Sequence, residues 1–183
     1  AKEACPHNLA PTASTTAQLA LGDALAVALL DARGFKADDF ARSHPGGALG
    51  RKLLTHVSDV MRSGAELPRV PLDADLMTLM REISAKGLGM SAIVDGEGAV
   101  LGVFTDGDLR RLIEKSGSSV DLRALTARDV MHPNPRTVRA EALAVEAADL
   151  MESSRVTSLL VVDDAGSLTG ALNSNDLMRA KVI

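Results

Sequence analysis

An internal repeat constrains the fold of this chain more than any other sequence feature. Residues 102–109 (GVFTDGDL) return 68 positions later as residues 170–177 (GALNSNDL). The segment 91–95 (SAIVD) returns as LLVVD at the same offset, and 59–61 (DVM) returns unchanged seventy positions later. A period this long, carrying mixed helix and strand patterns, indicates two duplicated small α/β units and not a solenoid.

Each copy predicts the same order of elements. In the first, a short buried hook (59–61) precedes a helix over 73–86 with Asp73 as a plausible cap, strands 91–94 and 99–104, and a second helix from Thr105 to 115. The second copy repeats this with a helix over 141–153, strands 157–162 and 167–172, and a helix over 174–181. One copy has too few strands for a stable sheet. Two copies are therefore expected to pack face to face about a pseudo-twofold axis in an α/β module, with residues 56–119 and 120–183 as the repeats.

Residues 1–55 precede the repeat and predict helices. A helix over 15–33 is expected to begin at a Thr15 or Thr16 cap and to end at Arg33 and Gly34, with one apolar stripe formed by Leu21, Leu25, Ala28 and Leu29. A short helix over 37–42 should stop at the turn SHPGG (43–47). Because the chain starts without Met, we expect it to be a fragment of a longer protein.

Composition excludes several functions. Three Phe with no Trp or Tyr disfavour stacking on single-stranded nucleic acid, and a net charge of −4 disfavours binding along a phosphate backbone. The single cysteine indicates a reducing compartment, and the longest apolar run, 24–30, is too short to span a bilayer. His7, His56, His132 and Cys5 lack metal-ligand spacing, so a metal site is not expected, and no cofactor is expected either. These features favour a cytoplasmic protein.

The repeated GVFTDGDL segment offers the clearest binding chemistry. Gly102 permits a close approach, Thr105 places a hydroxyl at a helix N-terminus that suits a phosphate, and the Asp108 carboxylate could accept hydrogen bonds from a ribose diol. Thr-x-x-Asp also approximates a capping box, which needs no ligand. From the residues alone both interpretations stay open. The second copy has Asn173 in place of the threonine and retains Asp176, so the two pockets are expected to be unequal.

Residues 56–183 resemble a CBS-domain pair, because both halves carry DVM at the head and the G-h-h-T-x-x-D-L pattern, with Asn173 as the departure, at the last strand–helix junction. The first 55 residues (KEACP, LAPTASTTAQLALGDALAVALL and RSHPGGALGRKLL) resemble the end of the sugar-isomerase (SIS) domain of D-arabinose 5-phosphate isomerases. This resemblance implies aldose–ketose isomerisation of ribulose 5-phosphate in the synthesis of Kdo. It also implies a nucleotide ligand for the CBS cleft.

The resemblance places catalytic roles on His44 and Glu3, two groups able to move protons between neighbouring carbons and oxygens. The family's lysine and second glutamate do not occur in this chain, so we expect it to be inactive alone. The family also implies a homo-oligomer, with dimers through the CBS pair and a tetramer through SIS. The unequal pockets favour CMP-Kdo over adenosine nucleotides. A stand-alone CBS sensor, or an empty cleft that serves only assembly, remains the alternative.

Overall fold

The computed structural model describes residues 2–43, 47–116 and 121–183. The chain divides into two compact units, residues 1–44 and residues 45–183.

The first unit consists of an N-terminal loop and two helices, α1 (Ala13–Ala32) and α2 (Ala37–Ser43). The predicted cap at Thr15 or Thr16 is wrong, because the N-cap residue of α1 is Thr12. The Thr12 side chain makes no capping hydrogen bond to the first turn of the helix. The carboxylate of Glu3 takes this place and accepts hydrogen bonds from the backbone N–H groups of Thr12 (2.7 Å) and Ser14 (3.1 Å). Arg33 and a left-handed Gly34 end the helix as expected.

Helix α1 is apolar on all sides and buries none of its residues. The predicted single stripe is therefore incomplete, because Leu19, Val27 and Leu30 lie on other faces and are exposed as well. By length and composition alone this helix could cross a membrane, and a core helix of a larger soluble protein would meet the same criterion. The uninterrupted apolar run 24–30 underestimates this helix, because scattered polar residues do not prevent a 20-residue segment from being apolar on average.

The second unit contains the duplicated elements. Its helices are α3 (Ala48–Leu54), α4 (Val57–Val60), α5 (Leu76–Lys86), α6 (Asp106–Ser116), α7 (Ala127–Val130), α8 (Ala144–Ser154) and α9 (Ser174–Arg179). Its strands are β1 (Arg69–Pro71), β2 (Met90–Val94), β3 (Val100–Thr105), β4 (His132–Pro133), β5 (Thr137–Val138), β6 (Ser158–Val162) and β7 (Leu168–Asn173). Helix α5 starts later than predicted because its cap is Asp75, which accepts the N–H of Thr78, and not Asp73.

Two mixed sheets form the centre of this unit. One has the order β1-β2-β3-β4 and the other the order β5-β6-β7. In each sheet the first strand runs parallel to the second, and the hairpin strands are antiparallel. The short strands β1 and β5 follow prolines and were too brief to be placed from the sequence. The two copies of the α/β unit, and their packing in one module, are confirmed.

Three apolar clusters hold the module together. One contains β2 residues of the first copy and β6 and β7 residues of the second, including Met90, Ala92, Leu160 and Ala171, so the two sheets face each other. The other two clusters each lie beneath one sheet and its helices. Backbone hydrogen bonds between the two hairpin tips, such as Val100 N–H to the Gly166 carbonyl (3.1 Å), close the contact.

The hooks at the head of each copy pack into the opposite copy. Val57 at the start of α4 and Met61 of the first hook belong to the cluster beneath the second sheet. Ala127 at the start of α7 and Met131 of the second hook belong to the cluster beneath the first sheet. The predicted burial of the hooks is only partly right, because Asp59 and Asp129 are exposed and the Val and Met of each hook are half-buried. The fully buried residues, Val57 and Ala127, precede the hooks, and each segment completes the core of the opposite copy.

Candidate functional site

A cleft of about 690 Å³ opens where the first copy meets the second. One side of the cleft is formed by the C-terminal end of β3, the first turn of α6 and the segment that follows α7. The other side is formed by the C-terminal end of α8 and by β6. The cleft has an apolar floor and a polar rim, lined by Gly89, Met90, Val103, Thr105, Asp106, Gly107, Asp108, Arg110, Arg111, His132, Pro135, Arg136, Arg155, Val156, Thr157, Ser158 and Leu160. Its volume falls in the range of small-molecule sites.

Thr105 and Asp108 form a reciprocal cap at the start of α6. The Asp108 Oδ2 atom accepts the backbone N–H (2.9 Å) and the hydroxyl (2.7 Å) of Thr105. The Thr105 hydroxyl oxygen in turn accepts the Asp108 N–H (3.2 Å). The second carboxylate oxygen, Oδ1, pairs with Arg111 and lies 2.8 Å from the Nε2 atom of His132. The capping-box interpretation is thus realised in the structure.

Hydrogen bonds keep Asp108 ionised although it is only 6% exposed. Burial raises the pKa of the Asp108 carboxyl, but the hydrogen bonds from Thr105 and Arg111 and the nearby His132 outweigh burial, so the pKa lies below its ordinary value. Both ionic partners are largely solvent-exposed, with 54% of the Arg111 side chain and 64% of the His132 side chain accessible, so their pairing with Asp108 is screened by water. A ligand can therefore reach Asp108 if it replaces these two groups.

The rim of the cleft is cationic. Arg110, Arg111, Arg136 and Arg155 line it, against the carboxylates of Asp106 and Asp108. Within the described part of the chain, only Arg111 of these four pairs with a carboxylate. The other guanidinium groups keep their donors available for an anion such as a phosphate.

The corresponding position of the second copy is built differently. Asn173 and Asp176 form the same reciprocal cap at the start of α9, with distances of 3.0 and 3.1 Å. Arg62 covers Asp176, with its Nε and Nη2 atoms 3.3 and 3.2 Å from the two carboxylate oxygens. The remaining nitrogen, Nη1, donates to the Lys86 carbonyl at the end of α5 (2.8 Å). Asn173 and Asp176 are 8% and 9% exposed, and neither lines the cleft.

Arg62 and His132 are equivalent residues, because each directly follows a DVM hook. Each hook crosses to the opposite copy, and its next residue meets the acid there: Arg62 meets Asp176 and His132 meets Asp108. The unequal pockets were predicted from Asn173 alone. The unlike residues that follow the repeated DVM, Arg62 and His132, were a second signal in the sequence for a difference between the two copies.

Gly102, the third predicted residue of the first copy, does not line the cleft. An added Cβ on Gly102 would lie 2.7 Å from the Met131 sulfur and 2.9 Å from the His132 carbonyl oxygen, so this glycine admits the crossing hook and not a ligand.

Glu3 lies in the first unit, where hydrogen bonds from Ser14 and Thr12 lower its pKa to about 2. In this arrangement Glu3 is ionised at neutral pH and is a weak proton acceptor. His44 lies outside the described residues, so its predicted role, like that of Glu3, stays a prediction.

Comparison with known proteins agrees with this architecture. The CBS domain family matches residues 57–115 and 127–183. Along its whole length the chain is 53% identical over 182 residues to the arabinose 5-phosphate isomerase KdsD of Pseudomonas aeruginosa, and 54% identical over 183 residues to that of Escherichia coli K12. The chain spans only 55% of the length of these relatives.

A solved structure, CBSX2 in complex with AMP, superposes with a TM-score of 0.60 at 26% identity and covers 69% of this chain and 95% of its own. CBSX2 comes from Arabidopsis thaliana. The family match covers more than half of the chain and includes both sheets, both hooks and both capped acids. The chain therefore belongs to the CBS domain family, as a tandem pair.

Proposed function

We propose that this chain is the regulatory, C-terminal part of an arabinose 5-phosphate isomerase and that its cleft binds a phosphate-bearing nucleotide. The observation that carries the binding proposal is the cleft at Asp108, which is lined by a capped carboxylate, by buried apolar residues and by three arginines that form no ion pair with the described carboxylates. The apolar floor suits a base, the carboxylate suits ribose hydroxyls and the arginines suit phosphate. AMP in the related CBSX2 supports the same ligand class.

The isomerase part of the proposal rests on similarity along the entire chain, including residues 1–55. A helix as apolar as α1, with no buried residue in this chain, fits an element that a larger domain covers. His44 and Glu3 would then contribute to catalysis in the longer protein, with ribulose 5-phosphate as substrate and Kdo synthesis as the destination of the product. Such an enzyme would work in the cytoplasm as an oligomer.

The ligand proposal is tested by calorimetric titration of this chain with AMP, ATP, CMP and CMP-Kdo. We expect saturable binding, and the order of the four affinities identifies the nucleotide that the cleft prefers. Arg136→Ala should weaken binding about tenfold, which corresponds to about 1.4 kcal/mol. Arg128→Ala, on α7 and away from the cleft lining, is the matched control. Absence of saturable binding by all four compounds would contradict the proposal and favour a cleft that serves only assembly.

The enzymatic proposal needs the longer protein. Ribulose 5-phosphate turnover should be lost in His44→Ala while the thermal unfolding midpoint is retained, and the nucleotide that binds the cleft should change the rate. Normal turnover in His44→Ala would remove the assigned role. A longer protein that binds nucleotide but does not isomerise phosphosugars would indicate a CBS sensor without a catalytic role.

A further inference from the structure

We infer that each chain takes one nucleotide, at Asp108, because Arg62 serves as a built-in occupant of the equivalent position at Asp176. This inference rests on the proposed nucleotide binding and adds its stoichiometry and the residue that determines it. The pseudo-symmetric module offers two capped acids, and both belong to the same reciprocal cap at a helix N-terminus. The difference therefore lies in what covers each acid.

The guanidinium of Arg62 fulfils the roles a ligand would have at Asp176. Two of its nitrogens face both carboxylate oxygens, and the third bonds the Lys86 carbonyl on the opposite wall. The Arg62 side chain is only 22% exposed, and its backbone is fixed by two hydrogen bonds to Ala171 (2.8 and 3.1 Å). A ligand hydroxyl would have to displace three hydrogen bonds, two of which make up an ion pair shielded from water, and this is costly.

The opposite wall of the Asp176 position is also filled. Leu88, which corresponds to Val156 at the repeat offset of 68, is 2% exposed, whereas Val156 is 36% exposed and lines the cleft. The Ser158 hydroxyl donates to the Leu88 carbonyl (2.9 Å) and ties this wall to β6. At Asp108 the covering group is the shorter imidazole of His132, which makes one contact with the carboxylate and leaves the space beside Val156 open.

Stoichiometry tests the inference directly. Equilibrium dialysis of the chain with AMP should saturate at one AMP per chain. Arg111→Ala, which changes the partner of Asp108, should alter the affinity at least threefold. Arg179→Ala, the equivalent change beside Asp176, should leave affinity and stoichiometry unchanged. Saturation at two AMP per chain, or an equal effect of both variants, would overturn the inference.

Hydrogen–deuterium exchange of the ligand-free chain provides a second readout that does not depend on nucleotide binding. Amides 173–177 should exchange more slowly than amides 105–109, and Arg62→His, which copies the arrangement at Asp108, should accelerate exchange at 173–177 alone. Equal exchange of the two segments, or no change in Arg62→His, would overturn the inference even if no nucleotide binds. If AMP fails to bind while exchange behaves as expected, the proposed ligand is wrong and the assignment of Arg62 stands.

Discussion

The two capped acids of this molecule, Asp108 and Asp176, have the same local geometry but are covered by different side chains. Each lies three residues into a reciprocal cap, and each meets the residue that follows the opposite hook. An arginine there reaches across to the far wall, and the site is closed; a histidine leaves a cleft. A duplicated motif can thus be preserved in form while one residue outside the motif decides which copy stays accessible.

The largest expected difference concerns stability. Arg62→Met keeps the aliphatic stem but removes the hydrogen-bonded ion pair of the buried Asp176 carboxylate, and this should lower the free energy of unfolding by about 3 kcal/mol. His132→Ala at the exposed counterpart should cost at most about 1 kcal/mol. Urea denaturation at pH 7 measures both.

Arg179→Ala is the control for this comparison, because Arg179 lies 3.9 Å from the same carboxylate but is 78% exposed. Its effect should be close to zero. Equal costs for Arg62→Met and His132→Ala would show that the two acids are not differently paired.

The second comparison uses the glycines over which the hooks cross. Gly102→Ala should cost about 1–3 kcal/mol, because the new methyl group would lie 2.9 Å from the His132 carbonyl oxygen, a backbone atom that cannot rotate away. Gly170→Ala should cost less, since the atom nearest to its added methyl group is the Met61 sulfur, at the far end of a flexible side chain. Denaturation curves of both variants measure the difference.

Gly96→Ala provides the control, because no atom lies within 4 Å of its added Cβ. A larger cost at Gly170 than at Gly102 would mean that the hook backbone adjusts more readily than the methionine.

The third comparison is a pH dependence. The pKa of Asp108 is lowered in the folded state, so its contribution to stability is present above the unfolded pKa of about 3.9 and is lost as the pH falls through the folded value. Thr105→Val removes a hydroxyl that donates to this carboxylate and should cost about 1–1.5 kcal/mol at pH 7. The cost should shrink below pH 4.

Thr157→Val, at an exposed position of the same cleft, is the control and should show no such pH dependence. A cost of Thr105→Val that is constant between pH 7 and pH 3 would contradict the ionic origin of the effect.

The smallest expected effect belongs to Asn173→Thr, which gives the second copy the threonine of the first. Asn and Thr both cap helices, so stability should change by less than about 0.5 kcal/mol. The Asp176 position should stay closed because Arg62 is unchanged, and AMP stoichiometry should not rise. If this variant bound a second AMP, Asn173 and not Arg62 would be the residue that prevents binding at Asp176.

Much of the fold was predictable because the sequence repeats itself. The offset of 68 aligned the strands and helices of both copies, and the hairpin turns and capped helices were visible as local patterns. The crossing of the hooks to the opposite copy could not be predicted, because Val57 and Ala127 are equally apolar whichever core they enter. The pairing of Arg62 with Asp176 joins residues 114 positions apart, which no local pattern encodes.

The candidate site was predictable in its chemistry and not in its boundaries. Thr105 and Asp108 were identified correctly as a strand–helix junction, and their cap was anticipated as one of two interpretations. Arg136 and Arg155 lie 31 and 50 residues from Thr105 along the chain and meet it only through the packing of the two copies. The N-terminal Glu3 was assigned by resemblance, and its present role as the acceptor at the start of α1 depends on a loop conformation that the sequence does not specify.

The exchange of hooks has a consequence for how the module can be divided. Since Val57 and Met61 complete one core and Ala127 and Met131 the other, a cut between the repeats would leave each half with an unfilled cavity. The smallest piece that can fold is therefore the pair, and unfolding of the two halves should occur in one transition with no half-folded species. The duplicated repeats therefore form a single cooperative folding unit, in which neither repeat is expected to stay folded without the other.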